Sequence, residues 1–166
     1  MKVSKSILLL ALSSVSLGAL AAHSPSPKMF VEKAAQDGMT EVALGKVALK
    51  KSQTPEIQAF AQRMVTDHGK ANAELASIAG TKGMAAPTDL DAMHKAMVEE
   101  LESKEGAAFD QAYAEHMSMD HSKAITLFEG AAKSSDQDLA GFAKKTLPTL
   151  KEHKAMAQKL TMKKSM

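Results

Sequence analysis

The amino-acid sequence predicts an all-α fold, a bundle of four long helices with one short extra helix. Four segments carry apolar residues at spacings of three and four, the pattern of helices that bury one face. Ala, Leu, Lys, Glu and Met are plentiful and aromatic residues make up only 4% of the chain, a composition that favours helix over sheet. No segment alternates convincingly between apolar and polar residues, so we expect no sheet.

The first 22 residues are predicted to be a secretory signal peptide. Two lysines form a basic start, an apolar run covers 7–20, and Ala19-Leu20-Ala21 is a small-residue cleavage signal. The run is shorter than the ~20 residues that span a membrane, and no Cys follows it to carry a lipid. We therefore expect an exported protein, periplasmic or secreted, that starts at Ala22 or His23 and has no membrane span after processing.

The charge balance argues against several classes of partner. The chain has 21 basic and 19 acidic residues, and the predicted signal peptide contains Lys2 and Lys5, so the mature protein is neutral. Nucleic-acid binding needs a basic patch, and we expect neither nucleic acid nor an anionic membrane surface as partner. The sequence identifies no protein partner. With no Cys there is no disulfide, so stability must come from packing.

The chain after the signal peptide divides into a linker, a helical bundle and a short basic tail. These parts are predicted at 23–28, 29–162 and 163–166, with helices over 29–51, 55–80, 90–103, 106–133 and 137–162. Pro55 suits the first turn of the second helix, and Thr54 before it is a good cap. The short helix is expected to return the chain along the bundle as a crossover.

The two halves of the bundle resemble each other. The segment "SQTPEIQAFA" at 52–61 matches "SSDQDLAGFA" at 134–143, with the helix breaker and the Phe-Ala pair in register. We interpret this as a weak internal repeat, two helical hairpins related by a pseudo-two-fold axis. Such a pair brings one face of every long helix to the centre.

Each long helix carries a polar residue within its apolar stripe. These residues are Glu41, His68, His121 and His153. With a rise of about 1.5 Å per residue, Glu41 and His68 lie about 18 and 22 Å from the same end of their hairpin, close enough for contact. In the second hairpin the same count favours His116 over His121 as the partner of His153, whereas the apolar stripe favours His121. Both alternatives stay open at this point.

A Glu or His inside a bundle is costly unless it is paired, hydrogen-bonded or bound to a metal. Three imidazoles and one carboxylate suit a single ion such as Zn²⁺, Mn²⁺ or Fe²⁺. The sequence therefore predicts a metal site formed by Glu41, His68, His121 and His153, with His116 as the alternative to His121.

A competing interpretation needs no metal. In it the same side chains form a polar core network, with Tyr113, Asp67 and Glu152 as partners, in a structural or protein-interaction module. The sequence contains no Cys, no Gly-x-Ser-x-Gly and no phosphate-binding loop. It therefore identifies no catalytic residue and favours a protein that is not an enzyme.

The segment "HMSMDH", at 116–121, adds a Cu ion to the candidates, because copper accepts both Met and His as ligands. A surface dedicated to copper would repeat such pairs along an exposed face. Met93, His94 and Met97 form the only other cluster of this kind. The Met residues fit core positions, where Met is mostly a flexible filler, so copper is the weaker candidate.

Three segments carry a resemblance to a known family. They are "EVALGKVALKKSQTPEIQAFAQRMVTDHGKANAEL", "FDQAYAEHMSMDHSKAITLF" and "LPTLKEHKAMAQKL". The chain resembles, over about Met29 to Leu160, exported bacterial proteins grouped as a domain of unknown function (DUF4142). That family is placed with the ferritin-like bundles and is often labelled predicted outer membrane protein. The resemblance implies a ferritin-like four-helix bundle.

The resemblance also implies which positions matter. The family pattern is carried by Glu41, Asp67-His68, Phe109-Asp110, Tyr113, His121, Leu147-Pro148 and His153. It favours His121 over His116. Di-iron members of the ferritin-like group use Glu-x-x-His on two helices, but here Val65 and Leu150 stand three residues before the two histidines. We therefore expect a single metal, or none, rather than a di-iron centre.

Overall fold

The computed structural model describes residues 24–163, and over this range the chain forms five α-helices and no strand. They are α1 (Pro27–Lys51), α2 (Pro55–Thr81), α3 (Ala92–Glu102), α4 (Gly106–Ala131) and α5 (Gln137–Lys163). Every predicted helix is confirmed, with its ends within two residues of the expected positions. The predicted signal peptide, residue 23 and residues 164–166 of the tail lie outside the described residues. None of these five helices combines the length with the hydropathy that a membrane-spanning segment needs.

The starts of the helices follow from local chemistry. Ser26 accepts a hydrogen bond from the backbone N–H of Met29, and Asp91 does the same for His94 at the start of α3. Helix α1 begins at Pro27, two residues before the expected start, because proline is favoured in the first helical turn, where its missing N–H costs nothing.

The helices form two antiparallel hairpins joined by α3. At the end of α1, Lys51 donates to Glu105 just before α4, at 2.7 Å. At the other end of the bundle, Gly130 in the last turns of α4 packs against Pro25. Helices α1 and α4 are therefore antiparallel, and α2 and α4 start at the same end. Since α3 returns the chain to that end, the expected ferritin-like bundle with one crossover is confirmed.

Two apolar clusters fill the bundle, one toward each end. The first contains the edge-to-face pair Phe30 and Phe128, whose ring centroids lie 5.0 Å apart. The second contains Phe60 and Tyr113, with centroids 6.0 Å apart. Each long helix passes from one cluster to the other, and the residues buried at the crossing include a polar one. The four polar side chains therefore lie at a common level near the middle of the bundle.

Candidate metal centre

The polar level contains the four residues that the sequence singles out. All are buried: Glu41 is 3% exposed, His68 6%, and His121 and His153 0%. The three imidazole rings form a nearly equilateral triangle, with centroid distances of 5.4, 5.3 and 5.4 Å. Each ring offers one nitrogen such that the three nitrogens lie within 4.8 Å of one another. Among the described residues, these three histidines are the group whose spacing suits a metal ion.

One nitrogen of each ring is held by an acceptor. Nδ1 of His68 lies 2.8 Å from Glu41 Oε2, and Nδ1 of His121 lies 2.8 Å from the carbonyl oxygen of Met117. Nε2 of His153 lies 2.9 Å from Asp67 Oδ2. Because carbonyl oxygens and ionised carboxylates only accept, each of these nitrogens carries a proton and donates it. A neutral ring in this state presents a lone pair on its other nitrogen.

The second nitrogen of each ring has no hydrogen-bond partner among the described residues. These atoms are Nε2 of His68, Nε2 of His121 and Nδ1 of His153, and all three are buried. A buried polar atom without a partner is costly, and most folded proteins avoid it. Each of these three nitrogens can act as a ligand of a metal ion.

Glu41 lies behind two of the rings. Its Oε2 accepts from His68, and its Oε1 lies 3.3 Å from Nδ1 of His121. It therefore contacts the nitrogens that already carry protons, and it orients the rings. Burial alone would raise the pKa of Glu41, but the charges of His68 and His121 and the hydrogen bond from His68 outweigh it and hold the pKa below its ordinary value.

The three histidines differ in their tendency to take up a proton. Burial lowers the pKa of His68, but the charge and hydrogen bond of Glu41 outweigh it, so the pKa is raised overall. Burial lowers the pKa of His121, and Glu41 offsets only part of this. Burial, aided by the charge of His68, lowers the pKa of His153 to about 4. His121 and His153 are therefore neutral at pH 7, the form that binds metals.

Asp67 connects His153 to the protein surface. Its side chain is 29% exposed and lies 3.5 Å from Nε of Arg63, which also contacts Glu152 at 2.9 Å. Burial alone would raise the pKa of Asp67. The hydrogen bond and the charge of His153, followed by those of Arg63, outweigh burial and hold the pKa below its ordinary value. Glu152 itself contacts Arg63 rather than the histidines.

Two further candidates lie outside the triangle. His116 is half-buried, and its Nε2 lies 2.7 Å from Asp120 Oδ2. It is five residues from His121, a rotation of about 140° around the helix axis, so only one of the two can face inward. The depth count that favoured His116 ignored this rotation. Tyr113 is buried in the neighbouring aromatic cluster, where its hydroxyl has no partner among the described residues.

Sequence reasoning missed two features of this region. One is the carbonyl oxygen of Met117, a backbone group that the residue type at this position does not predict. The other is Asp37, one turn before Glu41 on α1, which is half-buried and lies near His94 of α3. The spacing of four between two acidic residues on a mostly apolar stripe is the signal that would have pointed to it.

Among the comparisons with known proteins, a family model shows the family and two solved structures show the fold. A family model described as "Domain of unknown function (DUF4142)" matches residues 13–160. The fold is similar to a DUF305 fragment from Deinococcus radiodurans, with a TM-score of 0.74, 13% identity, and coverage of 85% of this chain and 99% of that chain. It is also similar to CopM in the Cu(II)-bound form, with a TM-score of 0.70, 13% identity, and coverage of 82% and 96%. No curated protein matches the chain.

Proposed function

The chain belongs to the DUF4142 family, and from the geometry of its own residues we propose that it binds one transition-metal ion through His68, His121 and His153. Two observations carry the proposal together: the three rings offer nitrogens within 4.8 Å of one another, and each ring has one buried nitrogen without a hydrogen-bond partner. Leaving one such atom unsatisfied costs about 1–3 kcal/mol, and an ion shared by all three would remove that cost.

The surroundings of the rings support a metal. Histidine ligands of metals almost always donate their other ring N–H to a carboxylate or a carbonyl, which fixes the tautomer and the direction of the ring. Here Glu41, the Met117 carbonyl and Asp67 each accept from one ring. We therefore assign Glu41 to the outer shell, where it orients His68 and His121, rather than to the ligand set that the sequence suggested.

The ligand chemistry narrows the choice of ion. Imidazole suits zinc, copper and iron, whereas manganese favours carboxylate oxygens. A set of three nitrogens thus favours Cu²⁺ and Zn²⁺ over Mn²⁺. CopM, which shares the fold, was solved in its Cu(II)-bound form, so copper is the first ion to test.

The space beside the triangle favours holding an ion over transforming an organic substrate. A cavity of about 20 Å³ adjoins Glu41 and His68. That volume accommodates about one water molecule and leaves no room for an organic substrate beside His68. We propose a protein that stores, buffers or delivers its metal, in keeping with a role in metal or stress responses.

We also propose that the protein acts in the periplasm or outside the cell. The basic start, apolar run and small-residue cleavage signal of residues 1–22 support export. Amino-terminal sequencing of protein purified from its native host tests this. A mature chain that starts at Ala22 or His23 is expected, and an intact Met1 in the purified protein would contradict export.

The metal proposal is tested by elemental analysis of the mature protein, prepared without chelators and then titrated with Cu²⁺ and Zn²⁺. We expect one equivalent of tightly bound metal, lost in each of His68→Ala, His121→Ala and His153→Ala. His116→Ala is the matched control, since it removes a histidine of the same helix that lies outside the triangle, and it is expected to keep the equivalent.

Circular dichroism and thermal melting check that each variant is folded. Partial and independent losses in the three variants would contradict a shared site. Wild-type protein that takes up no metal and melts unchanged with either ion would favour the metal-free polar network instead.

A further inference from the structure

Two cavities of very different size lie on either side of one carboxylate. A groove of about 770 Å³ runs over the surface between α1, α3 and α4, with Asp37, His94 and Asp120 among its lining residues. The cavity of about 20 Å³ lies inside the bundle against Glu41 and His68. Asp37 is the residue that lines both. It therefore stands between the surface groove and the ring of His68, which is the one of the three histidines that lines the inner cavity.

The groove has more acidic than basic side chains in its lining: Glu32, Asp37, Asp91 and Asp120 against Lys33 and Lys123. Burial, and then the nearby charges of Glu41 and Asp120, raise the pKa of Asp37. Asp120 lies 2.7 Å from Nε2 of His116 and 3.1 Å from Nζ of Lys123, so its charge is balanced within its own surroundings, and Asp37 has no lysine or arginine at such a distance among the described residues. A cleft with an excess of acidic side chains between low-dielectric walls concentrates cations. The groove thus attracts cations toward Asp37.

The inner cavity is lined by two buried atoms that could bind an ion. Glu41 Oε1 and His68 Nε2 are buried and have no hydrogen-bond partner among the described residues, and both residues line the inner cavity. Asp37 and Glu41 lie one turn apart on α1, so their side chains are neighbours on one face. An ion that leaves Asp37 can therefore meet an oxygen of Glu41 before it reaches the rings, and it need not lose all of its water in one step.

We propose that Asp37 is the entry residue of a route by which a divalent transition-metal ion passes from the groove between α1, α3 and α4 to the buried histidines. This inference rests on the proposed function, because it concerns access to the same site. Asp37 acts on the rate of exchange and is not a ligand of the bound ion. It is spatially separate from Asp67, which links His153 to the opposite surface.

The experiment measures the rates of uptake and release of Co²⁺, whose visible absorption changes when imidazole binds it. Stopped-flow mixing gives the uptake rate, and an excess of EDTA gives the release rate. Asp37→Asn keeps the shape of the side chain and removes its charge. Asp138→Asn is the matched control, since it makes the same change at an exposed residue that pairs with Lys82 on another part of the surface.

We expect Asp37→Asn to slow uptake and release by a similar factor, about tenfold, so that the equilibrium Kd stays within about threefold of the parent value. Raising the ionic strength is expected to slow uptake in the parent and in Asp138→Asn, and to have less effect in Asp37→Asn. Uptake and release that slow by the same factor leave Kd unchanged. This result identifies a residue on the path of the ion, because such a residue affects passage equally in both directions.

Two results would overturn the route while leaving the site intact. Unchanged rates in Asp37→Asn would place entry elsewhere. Faster release with a weaker Kd would make Asp37 a ligand. A third result, no binding of Co²⁺, Cu²⁺ or Zn²⁺ to the parent at equilibrium, would overturn the proposed function and the route together, and the equilibrium titrations reveal it before any rate is measured.

Discussion

At the scale of single residues, Glu41 contacts two of the three core histidines. One carboxylate accepts from His68 and lies against His121, while its own charge raises the pKa of His68. Sequence analysis predicted that Glu41 faces the histidines, but it could not predict which of their atoms it contacts. That depends on ring rotation, which the apolar periodicity does not encode.

Replacement of Glu41 by Gln tests whether the carboxylate is a metal ligand or a hydrogen-bond partner of the ligands. In Glu41→Gln the side-chain carbonyl still accepts from His68, but the negative charge is gone. We expect metal affinity to fall 10- to 100-fold, the usual loss for an outer-shell partner, with the stoichiometry unchanged. Isothermal titration calorimetry measures both quantities. Complete loss of binding in a variant that melts like the parent would make Glu41 a ligand.

The same substitution tests the cause assigned to the pKa of His68. Because the charge of Glu41 holds that pKa above its ordinary value, Glu41→Gln is expected to lower it. A titration of the imidazole resonances by NMR, in the metal-free protein, measures the change. An unaltered or higher pKa in the variant would show that another group stabilises the protonated ring.

At the scale of helices, the apolar periodicity predicted which histidine faces the core better than the count of residues from the hairpin turn did. The apolar stripe placed His121 inward, as the structure has it, whereas counting residues from the hairpin turn favoured His116. A rotation of 100° per residue decides which side chain faces the core, and small differences in helix tilt absorb errors in depth. The metal-free interpretation named Asp67 as a partner of the core side chains, but the sequence did not predict that it contacts His153, because that contact joins two helices at a register that only packing determines.

The approach of α1 to α2 gives a test of packing at this scale. A Cβ atom at Gly45 would lie 3.1 Å from the backbone oxygen of Ala61 and 3.0 Å from a methyl group of Val65, tighter than ordinary contact. At Gly141, on the exposed face of α5, nothing lies within 4 Å.

We expect Gly141→Ala to stabilise the protein by about 0.5–1 kcal/mol, since Ala is the better helix former. Gly45→Ala gains the same propensity but must push two buried helices apart, and we expect a net loss of about 1–3 kcal/mol. Chemical denaturation of both variants gives the comparison. Equal stabilisation by the two changes would mean that the α1–α2 interface yields easily.

At the scale of the whole molecule, the core histidines tie folding to pH in two opposite directions. The pKa of His153 falls from 6.5 to about 4 on folding, so the unfolded chain binds more protons between these values. The stability that His153 contributes is present above pH 6.5 and is lost as the pH falls toward 4. The pKa of His68 is raised, so its pair with Glu41 contributes stability below pH 6.5 that is lost as the pH rises through the raised pKa.

The metal-free protein is therefore expected to be most stable near pH 6.5 and to lose stability on both sides of it. Thermal melts over a series of pH values, in the presence of a chelator, measure the profile. In Glu41→Gln the loss on the alkaline side is expected to shrink, because the ion pair that causes it is gone. A stability that rises without interruption from pH 6 to pH 9 in the parent would contradict the raised pKa of His68.

Metal binding should reshape this profile, because an ion and a proton compete for Nε2 of His68. Binding to the folded state alone stabilises it by RT ln(1 + [M]/Kd), about 2.7 kcal/mol at a hundredfold excess over Kd. The gain is expected to be larger at pH 8 than at pH 5.5, since at the lower pH His68 must first release its proton. Melting with and without Cu²⁺ or Zn²⁺ at the two pH values measures it, with His153→Ala as the variant that should gain nothing. An equal gain at both pH values would mean that His68 binds no metal, and an equal gain in His153→Ala would place the stabilising ion outside the triangle of rings.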